Sequence, residues 1–435
     1  MEERHRLLLE STHLTEELLP RRSSKSSTET GYILSITSLP SFYAASTSAP
    51  FNVIDIFDKS TLHGMQTFPG HEGATTSLHM AENLGGILQK CLISSGKDGS
   101  IKAWDERTNS HSIKMTNLGK SLALLCCDVS PDGLTVAGGT ELQGEEASIL
   151  YWDPRQPATP LRAHSSSHSD DVTTLSFASS RDPETNKNTI LSGSTDGLLC
   201  TSNADEDDED EALIQVGNWG CSVAQAGWIY REPKPKVDDG FVDYDYSAAI
   251  WAASDMETFS IWRSDLDQLL SLDIRSPVLH NGRTWVTNYC IAARSTNTSY
   301  PNLSVFTGTN EGDIALLSNM NIEVPDAPWC LHKLWTHGHS GVVRSLLWDE
   351  ENKILVSGGE DGKINAWSFP PVEHEIYEDG GDQEFEDEYE NDGMEVDVSP
   401  KARKRELDGN SDRAQRKEDE AIKLQYHTYV CRNHL

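Results

Sequence analysis

The stretch Ser357-Gly-Gly-Glu-Asp361-Gly-Lys-Ile-Asn-Ala-Trp367-Ser368 decides the fold of this 435-residue chain. Its opening Ser-Gly ends an apolar strand, Asp-Gly makes a tight turn, and an alternating strand follows that runs into Trp. The phrase stands a second time at Ser94-Ser-Gly-Lys-Asp98-Gly-Ser-Ile-Lys-Ala-Trp104, and a weaker copy, Ser192-Gly-Ser-Thr-Asp196-Gly, lies between the two. Self-similarity on this scale marks a repeat architecture, in which each unit buries its apolar face only by stacking on its neighbours.

The phrase also carries the side chains to lock its own hairpin. Gly338-His339 stands upstream of the last copy, so His339, Ser357, Asp361 and Trp367 supply an imidazole, a hydroxyl, a carboxylate and a donor-only indole for one hydrogen-bonded chain. Ser94, Asp98 and Trp104 offer part of an equivalent set, as do His168, Ser192 and Asp196. A buried polar network of this kind specifies structure when complete and destabilises it when half made. The pattern resembles the WD40 repeat. That resemblance implies a β-propeller in which these residues fasten blades and do no chemistry.

With the strand that ends in Trp as a ruler, successive ends fall at Phe57-Asp58, Trp104-Asp105, Trp152-Asp153, Ser202-Asn203, Trp262-Arg263, Leu317-Ser318 and Trp367-Ser368. Their spacings are 47, 48, 50, 60, 55 and 50 residues. The expectation is an all-β, seven-bladed propeller of four short strands per blade with enlarged loops. Several copies are degraded: Ser202 and Leu317 replace Trp, while Phe51, Asp255-Met256 and Glu311 spoil the Asp-Gly turn. Neighbouring blades supply most of the burial, so such decay is tolerable. The order of features from Thr140–Ser148 through Ile149-Leu-Tyr-Trp-Asp-Pro-Arg155, His168-Ser-Asp-Asp-Val172 and Ser192–Gly197 to Gly358-Gly-Glu-Asp361 is similar to one subgroup of WD40 proteins over about residues 30–370.

These signals divide the chain into a flexible extension over 1–29, a propeller over 30–370, an acidic disordered segment over 371–400 and a basic, mixed tail over 401–435. Closing a ring needs a strand from one terminus. Arg6–Ser11 and the segment before Tyr32 are the candidates, because Pro370-Pro371 follows Trp367 closely. A rival reading takes Glu2–Leu19, with leucines at 7, 8, 14, 18 and 19, as an amphipathic helix, and Arg21–Thr30 as a flexible linker. Leu424–Val430 alternates apolar and polar residues like a strand.

Charge is the second strong signal. The formal net charge is −33, of which Asp205–Glu211 contributes −7 and residues 371–435 contribute −10. Such a surface repels phosphates, which argues against direct nucleic-acid binding. The run Asp205, Glu206, Asp207, Asp208, Glu209, Asp210 and Glu211 reads either as a solvated, disordered loop or as a capture surface for a basic partner such as a histone or ribosomal-protein tail. Behind the acidic tail, Lys401, Arg403, Lys404 and Arg405, then Arg413, Arg416 and Lys417, have the spacing of a bipartite nuclear-import signal. The expected location is the nucleus, with the cytoplasm as a second compartment.

Two consecutive units read W-D-x-R, at Trp104-Asp105-Glu106-Arg107 and Trp152-Asp153-Pro154-Arg155. The spacing resembles the motif by which WD40 substrate receptors dock on the adaptor of cullin-4 ubiquitin ligases. The alternative is an intramolecular Arg–Asp pair.

Enzyme signatures fail. Gly119-Lys120-Ser121 ends like a phosphate loop, but Lys114 occupies the position of the first glycine, and no G-x-S-x-G elbow occurs. His332, His337 and His339 straddle a unit junction, which argues against a metal site. The eight cysteines lack C-x-x-C spacing and read as reduced core thiols, so the Asn297 and Asn302 sequons read as chance matches. No run approaches the length of a membrane span or signal peptide, and the N-terminal apolar run is only Leu7–Leu9. The chain therefore reads as a non-catalytic scaffold without cofactor, metal or membrane, a monomer that works within a protein complex.

Overall fold

The computed structural model describes residues 8–87, 89–105, 110–117, 121–182, 185–230, 234–238, 241–245, 249–275, 285–295, 303–319 and 328–369. They form a seven-bladed β-propeller, built almost wholly of strands. The third strands of the blades are Ile54–Asp58, Ser100–Asp105, Ile149–Trp152, Leu198–Asn203, Thr258–Arg263, Ile314–Asn319 and Lys363–Ser368. Each contains one of the positions that the Trp ruler picked out, including the degraded Ser202 and Leu317.

These third strands are apolar on both faces, and most of their residues are buried. Blades stack face to face around the ring, so a mid-blade strand meets a neighbouring blade on either side. Seven apolar clusters fill the junctions. Phe68, Leu78, Leu92 and Trp104 join blade 1 to blade 2, for example, and Ile33, Tyr43, Val356 and Ala366 join blade 7 back to blade 1. Between the first and second strands of blade 5 lies an extra hairpin, Lys234–Asp238 with Phe241–Asp245. It accounts for much of the 60-residue spacing between Ser202 and Trp262.

The N-terminal segment departs from two of the expectations. It is neither an amphipathic helix nor a linker. Arg22–Lys25 pairs antiparallel with Lys363–Ser368 and becomes the outermost strand of blade 7, so the segment before Tyr32 closes the ring. Leu8–Glu17 then runs parallel to Trp329–Trp335 as a fifth strand on blade 6. Leucine spacing suggested a helix, but a strand edge offered backbone partners and a core, and that tertiary pairing overrode local periodicity. Leu8 is only 3 % exposed and joins the core between blades 5 and 6. Burial of such a side chain stabilises by about 1.5–3 kcal/mol. Leu18 and Leu19, counted towards the helix face, are instead exposed.

Polar contacts fasten this segment across three blades. The Ser368 backbone N–H of blade 7 donates to Glu17, whose carboxylate lies 3.5 Å from Lys333 of blade 6. Lys333 also donates to the Ser368 carbonyl at 2.7 Å. Beyond the closing strand, Ser26 and the Ser27 backbone N–H donate to Asp55 of blade 1. The expected segments 371–400 and 401–435, with Leu424–Val430, lie outside the described residues.

Candidate functional site

The turns between second and third strands gather at one end of the ring, and the loops between third and fourth strands at the other. At the first end, blade 7 brings its four polar residues into one chain. Trp367 Nε1 donates to Ser357 Oγ at 2.8 Å, and Ser357 Oγ lies 2.8 Å from His339 Nε2. Nδ1 of the same ring is 3.0 Å from Asp361 Oδ1. Because the indole can only donate, the serine hydroxyl points its own proton at Nε2, which leaves Nδ1–H to face the carboxylate. Asp361 also accepts from the Ser340 and Lys363 backbone N–H groups, so one side chain ties the turn to the preceding loop.

Blade 2 repeats the arrangement with a member that the sequence reading missed. His71 Nδ1 lies 2.9 Å from Asp98, His71 Nε2 lies 2.7 Å from Ser94 Oγ, and Trp104 Nε1 donates to Ser94 at 2.8 Å. The signal was present, since Gly70-His71 matches Gly338-His339. In blade 4, His168 Nε2 reaches Ser192 Oγ at 2.8 Å, while Nδ1 stands 3.4 Å from Asp196. No indole completes that set, because Ser202 stands where Trp would be.

The blades without a lock are arranged differently. In blade 5, Trp262 Nε1 donates to Ser260 within its own strand, and Asp255 accepts from Ser222. In blade 6, Trp285 donates to Thr287. Blades 5 to 7 open between them a polar basin of about 570 Å³, lined by Asp255, Glu257, Arg275, Asn288, Asn310 and Arg344 among others. Sequence reasoning noted Asp255-Met256 and Glu311 only as spoiled turns. Loss of the lock is the signal that could have drawn attention to this basin.

At the opposite end, the acidic run is an ordered part of blade 4, joining its third strand to its outer strand Leu213–Asn218. This corrects the reading of Asp205–Glu211 as a solvated, disordered loop. Asp205 accepts from the Asn188 backbone and side chain, and Glu206 pairs with Lys187 at 3.2 Å. Asp207 lies 3.2 Å from Arg162, and Asp208 caps a single turn, Glu209–Ala212. Glu209 accepts from the Ser166 N–H of the loop that leaves blade 3. Inward bonds hold the loop, while Asp207, Asp208, Asp210 and Glu211 keep their side chains at the surface.

Arg155 projects from the same end of the ring, in blade 3. Its guanidinium forks onto Asp153 of its own motif at 2.7–3.1 Å, and its side chain is 60 % exposed. The intramolecular Arg–Asp pair is therefore what the structure contains here. Arg107 lies outside the described residues, as do Lys401, Arg403, Lys404, Arg405, Arg413, Arg416 and Lys417.

The sequence model of the WD domain, G-beta repeat, matches residues 64–105 and 329–368, which hold the hairpins of blades 2 and 7. The chain is a WD40-repeat protein. It is 26% identical to WD repeat-containing protein 89 homolog from Dictyostelium discoideum, over 79% of this chain and 84% of that protein. It is 31% identical to an uncharacterized WD repeat-containing protein of Saccharomyces cerevisiae, over 63% of this chain and 64% of the relative. A third relative, an uncharacterized WD repeat-containing protein of Schizosaccharomyces pombe, is 26% identical over 72% and 88%.

A WD40 propeller is in general a platform for binding other proteins, with loops on two faces set by a stiff ring. The three histidines weighed for a metal do not converge. His339 belongs to its lock and His332 reaches Ser318, and the described residues hold no His, Cys, Asp or Glu cluster able to bind an ion. The seven described cysteines are free, and burial pushes the Cys91 thiol up to about 11 and Cys200 up to about 12.

Burial works to raise the Asp196 carboxyl, but His168 beside it and the Ser169 and Leu198 backbone N–H donors outweigh this, holding it at about 2. Asp361, against the same burial, is held still further below the usual carboxylate range by His339. A carboxylate depressed in the folded state contributes stability above its unfolded value of about 3.9, and that stability is lost as pH falls through the folded value. The melting temperature is thus expected to drop steeply as pH falls from about 4 to about 2. Asp196→Asn should melt lower at pH 7 and lose less on acidification, with an unchanged acid limb in differential scanning calorimetry as the contrary result.

Proposed function

We propose that this WD40 propeller is a non-catalytic, nuclear or nucleocytoplasmic scaffold that captures a basic protein segment. The observation that carries the reading is the acidic loop of blade 4. Its backbone and inner carboxylates are tied down, Asp207 pairs with Arg162 and Asp208 caps the turn, while the side chains of Asp207, Asp208, Asp210 and Glu211 stay exposed to solvent. Ordering acids in advance removes part of the conformational cost that a flexible acidic tail meets on binding. The field of a chain with a net charge of −33 also speeds the approach of a cation-rich partner.

Replacing Asp207, Asp208, Asp210 and Glu211 by their amides should weaken binding of a lysine-rich histone-tail peptide by about tenfold or more and flatten its salt dependence. Equal affinity of the two proteins at about 0.15 M salt in a fluorescence titration would remove acidity as the mechanism.

The nuclear assignment rests on Lys401, Arg403, Lys404 and Arg405 with Arg413, Arg416 and Lys417. Alanine at all seven is expected to leave a fluorescent fusion of the full chain in the cytoplasm. Continued nuclear accumulation of that variant contradicts the assignment.

The exposed guanidinium of Arg155 favours a second reading, a substrate receptor of a cullin-4 ubiquitin ligase. Asp153 presets the planar fork, and a partner carboxylate could share it. On this reading Arg107→Ala with Arg155→Ala abolishes co-purification of the adaptor while the melting temperature stays put. Adaptor retained by the double variant excludes it.

A further inference from the structure

We propose that the outer edge of blade 4 is a strand-addition site for an extended partner segment with alternating apolar residues and a basic flank. The proposal rests on the scaffold reading above and says which surface and which partner chemistry that scaffold uses.

The outer strand Leu213-Ile-Gln-Val-Gly-Asn218 ends its sheet, and no described strand pairs with its far side. Leu213, Ile214 and Val216 are 38, 49 and 48 % exposed. An edge of this kind offers a row of backbone donors and acceptors, and soluble proteins blunt such edges with charge, proline or a cover. The outer edges of blades 7, 6 and 2 follow the rule, whereas the outer strand of blade 1, Gly64–Phe68, is also uncharged but has no run of acids leading into it. Blade 7 ends in Arg22–Lys25, with a charge at either end, and the added strand of blade 6 carries Glu10, His13 and Glu16. Blade 2 ends in Ser110–Thr116, whose exposed residues include Ser110, His111 and Ser112. The blade 4 strand has no charged residue and no proline over its whole length.

The same fold already performs the proposed operation once. Leu8–Glu17 adds to the corresponding edge of blade 6 and buries Leu8 in the core. A blade of this ring therefore accepts a fifth strand without losing its twist or its junctions.

The charge beside the edge selects the occupant. Exposed Asp207, Asp208, Asp210 and Glu211 immediately precede Leu213, so a strand laid along the edge brings one of its ends against them. Lysines or arginines at that end are attracted, and acids are repelled. Main-chain hydrogen bonds then hold the segment, and alternate apolar side chains meet Ile214 and Val216. A second copy of the chain fits poorly, because each copy carries a net charge of −33.

The probes are fluorescein-labelled Lys-Lys-Lys-Val-Thr-Val-Thr-Val and Val-Thr-Val-Thr-Val-Lys-Lys-Lys, which suit the two strand directions, with glutamate versions of each. Anisotropy is read on the full chain at about 0.15 M salt. One lysine peptide is expected to bind saturably and at least tenfold more tightly than its glutamate version. Ile214→Thr with Val216→Thr keeps strand propensity and charge, and Asp210→Asn with Glu211→Gln keeps the apolar edge. Each pair should weaken that binding by about tenfold, with an unchanged near-ultraviolet dichroism spectrum. The proposal is overturned if neither lysine peptide saturates, if the threonine variant binds as the native chain does, or if the native chain is a dimer that this variant dissociates. Histone-tail peptide binding that persists in the threonine variant but is lost in the amide variant sinks the edge site alone and leaves the acidic scaffold standing.

Discussion

A propeller has no ends in space, whereas its chain has two, and everything else in this molecule depends on how that conflict is resolved. Each blade is covered on both faces only if it has a neighbour on both sides. Blade 7 meets blade 1 through Ile33, Tyr43, Val356 and Ala366, residues some 300 positions apart in the chain. That junction is held by four closing residues, Arg22–Lys25, hydrogen-bonded to Lys363–Ser368. Without them the third strand of blade 7 becomes a raw edge, and the burial at the last junction loses its support. The Glu17, Lys333 and Ser368 contacts make closure a joint property of blades 6 and 7, and Asp55 extends it to blade 1.

Against that global constraint, the Trp–Ser–His–Asp locks act locally. Each fixes one turn to the preceding loop, and three of the seven blades carry one in whole or part. A buried network of this kind helps only when every member is satisfied. Blade 4 lacks its indole, and the consequence is visible: His168 keeps its serine but sits further from its aspartate than His339 does. Four blades lack the lock, and two of them, blades 5 and 6, border the polar basin together with blade 7. The ring tolerates this because closure and junction burial, more than the locks, hold it together.

Much of this was legible in the residues. Trp104, Trp152, Trp262 and Trp367 located third strands directly, and even Ser202 and Leu317 fell where spacing placed them. Short-range signals succeed here because hairpin, turn and indole are neighbours in sequence. Closure was harder. Arg22–Lys25 has no strand signature, and its identity as a strand comes from a partner more than 330 residues away. Leu8–Glu17 carried a misleading helical spacing for the same reason. The acidic run failed differently. Seven consecutive acids read as solvated because composition cannot reveal that Asn188, Lys187, Arg162 and the Ser166 N–H lie within reach.

Those four partners alter what the acidity means. A disordered acidic segment attracts cations from any direction and discriminates little among them. Here Asp205, Glu206 and Glu209 fix the loop, Asp207 pairs with Arg162 and Asp208 caps the turn, so the exposed carboxylates gain a definite position relative to Leu213, Ile214 and Val216. Charge then stops being a property of the whole surface and becomes one end of a track whose other part is apolar backbone edge. On the proposed strand addition, discrimination follows from having both, since a basic segment without alternating apolar residues finds no purchase on the edge, and an apolar strand with an acidic flank is repelled at its end. Blade 4, whose lock lacks its tryptophan, thus joins an uncharged outer strand to an ordered run of acids, and the ring around it holds the two in place.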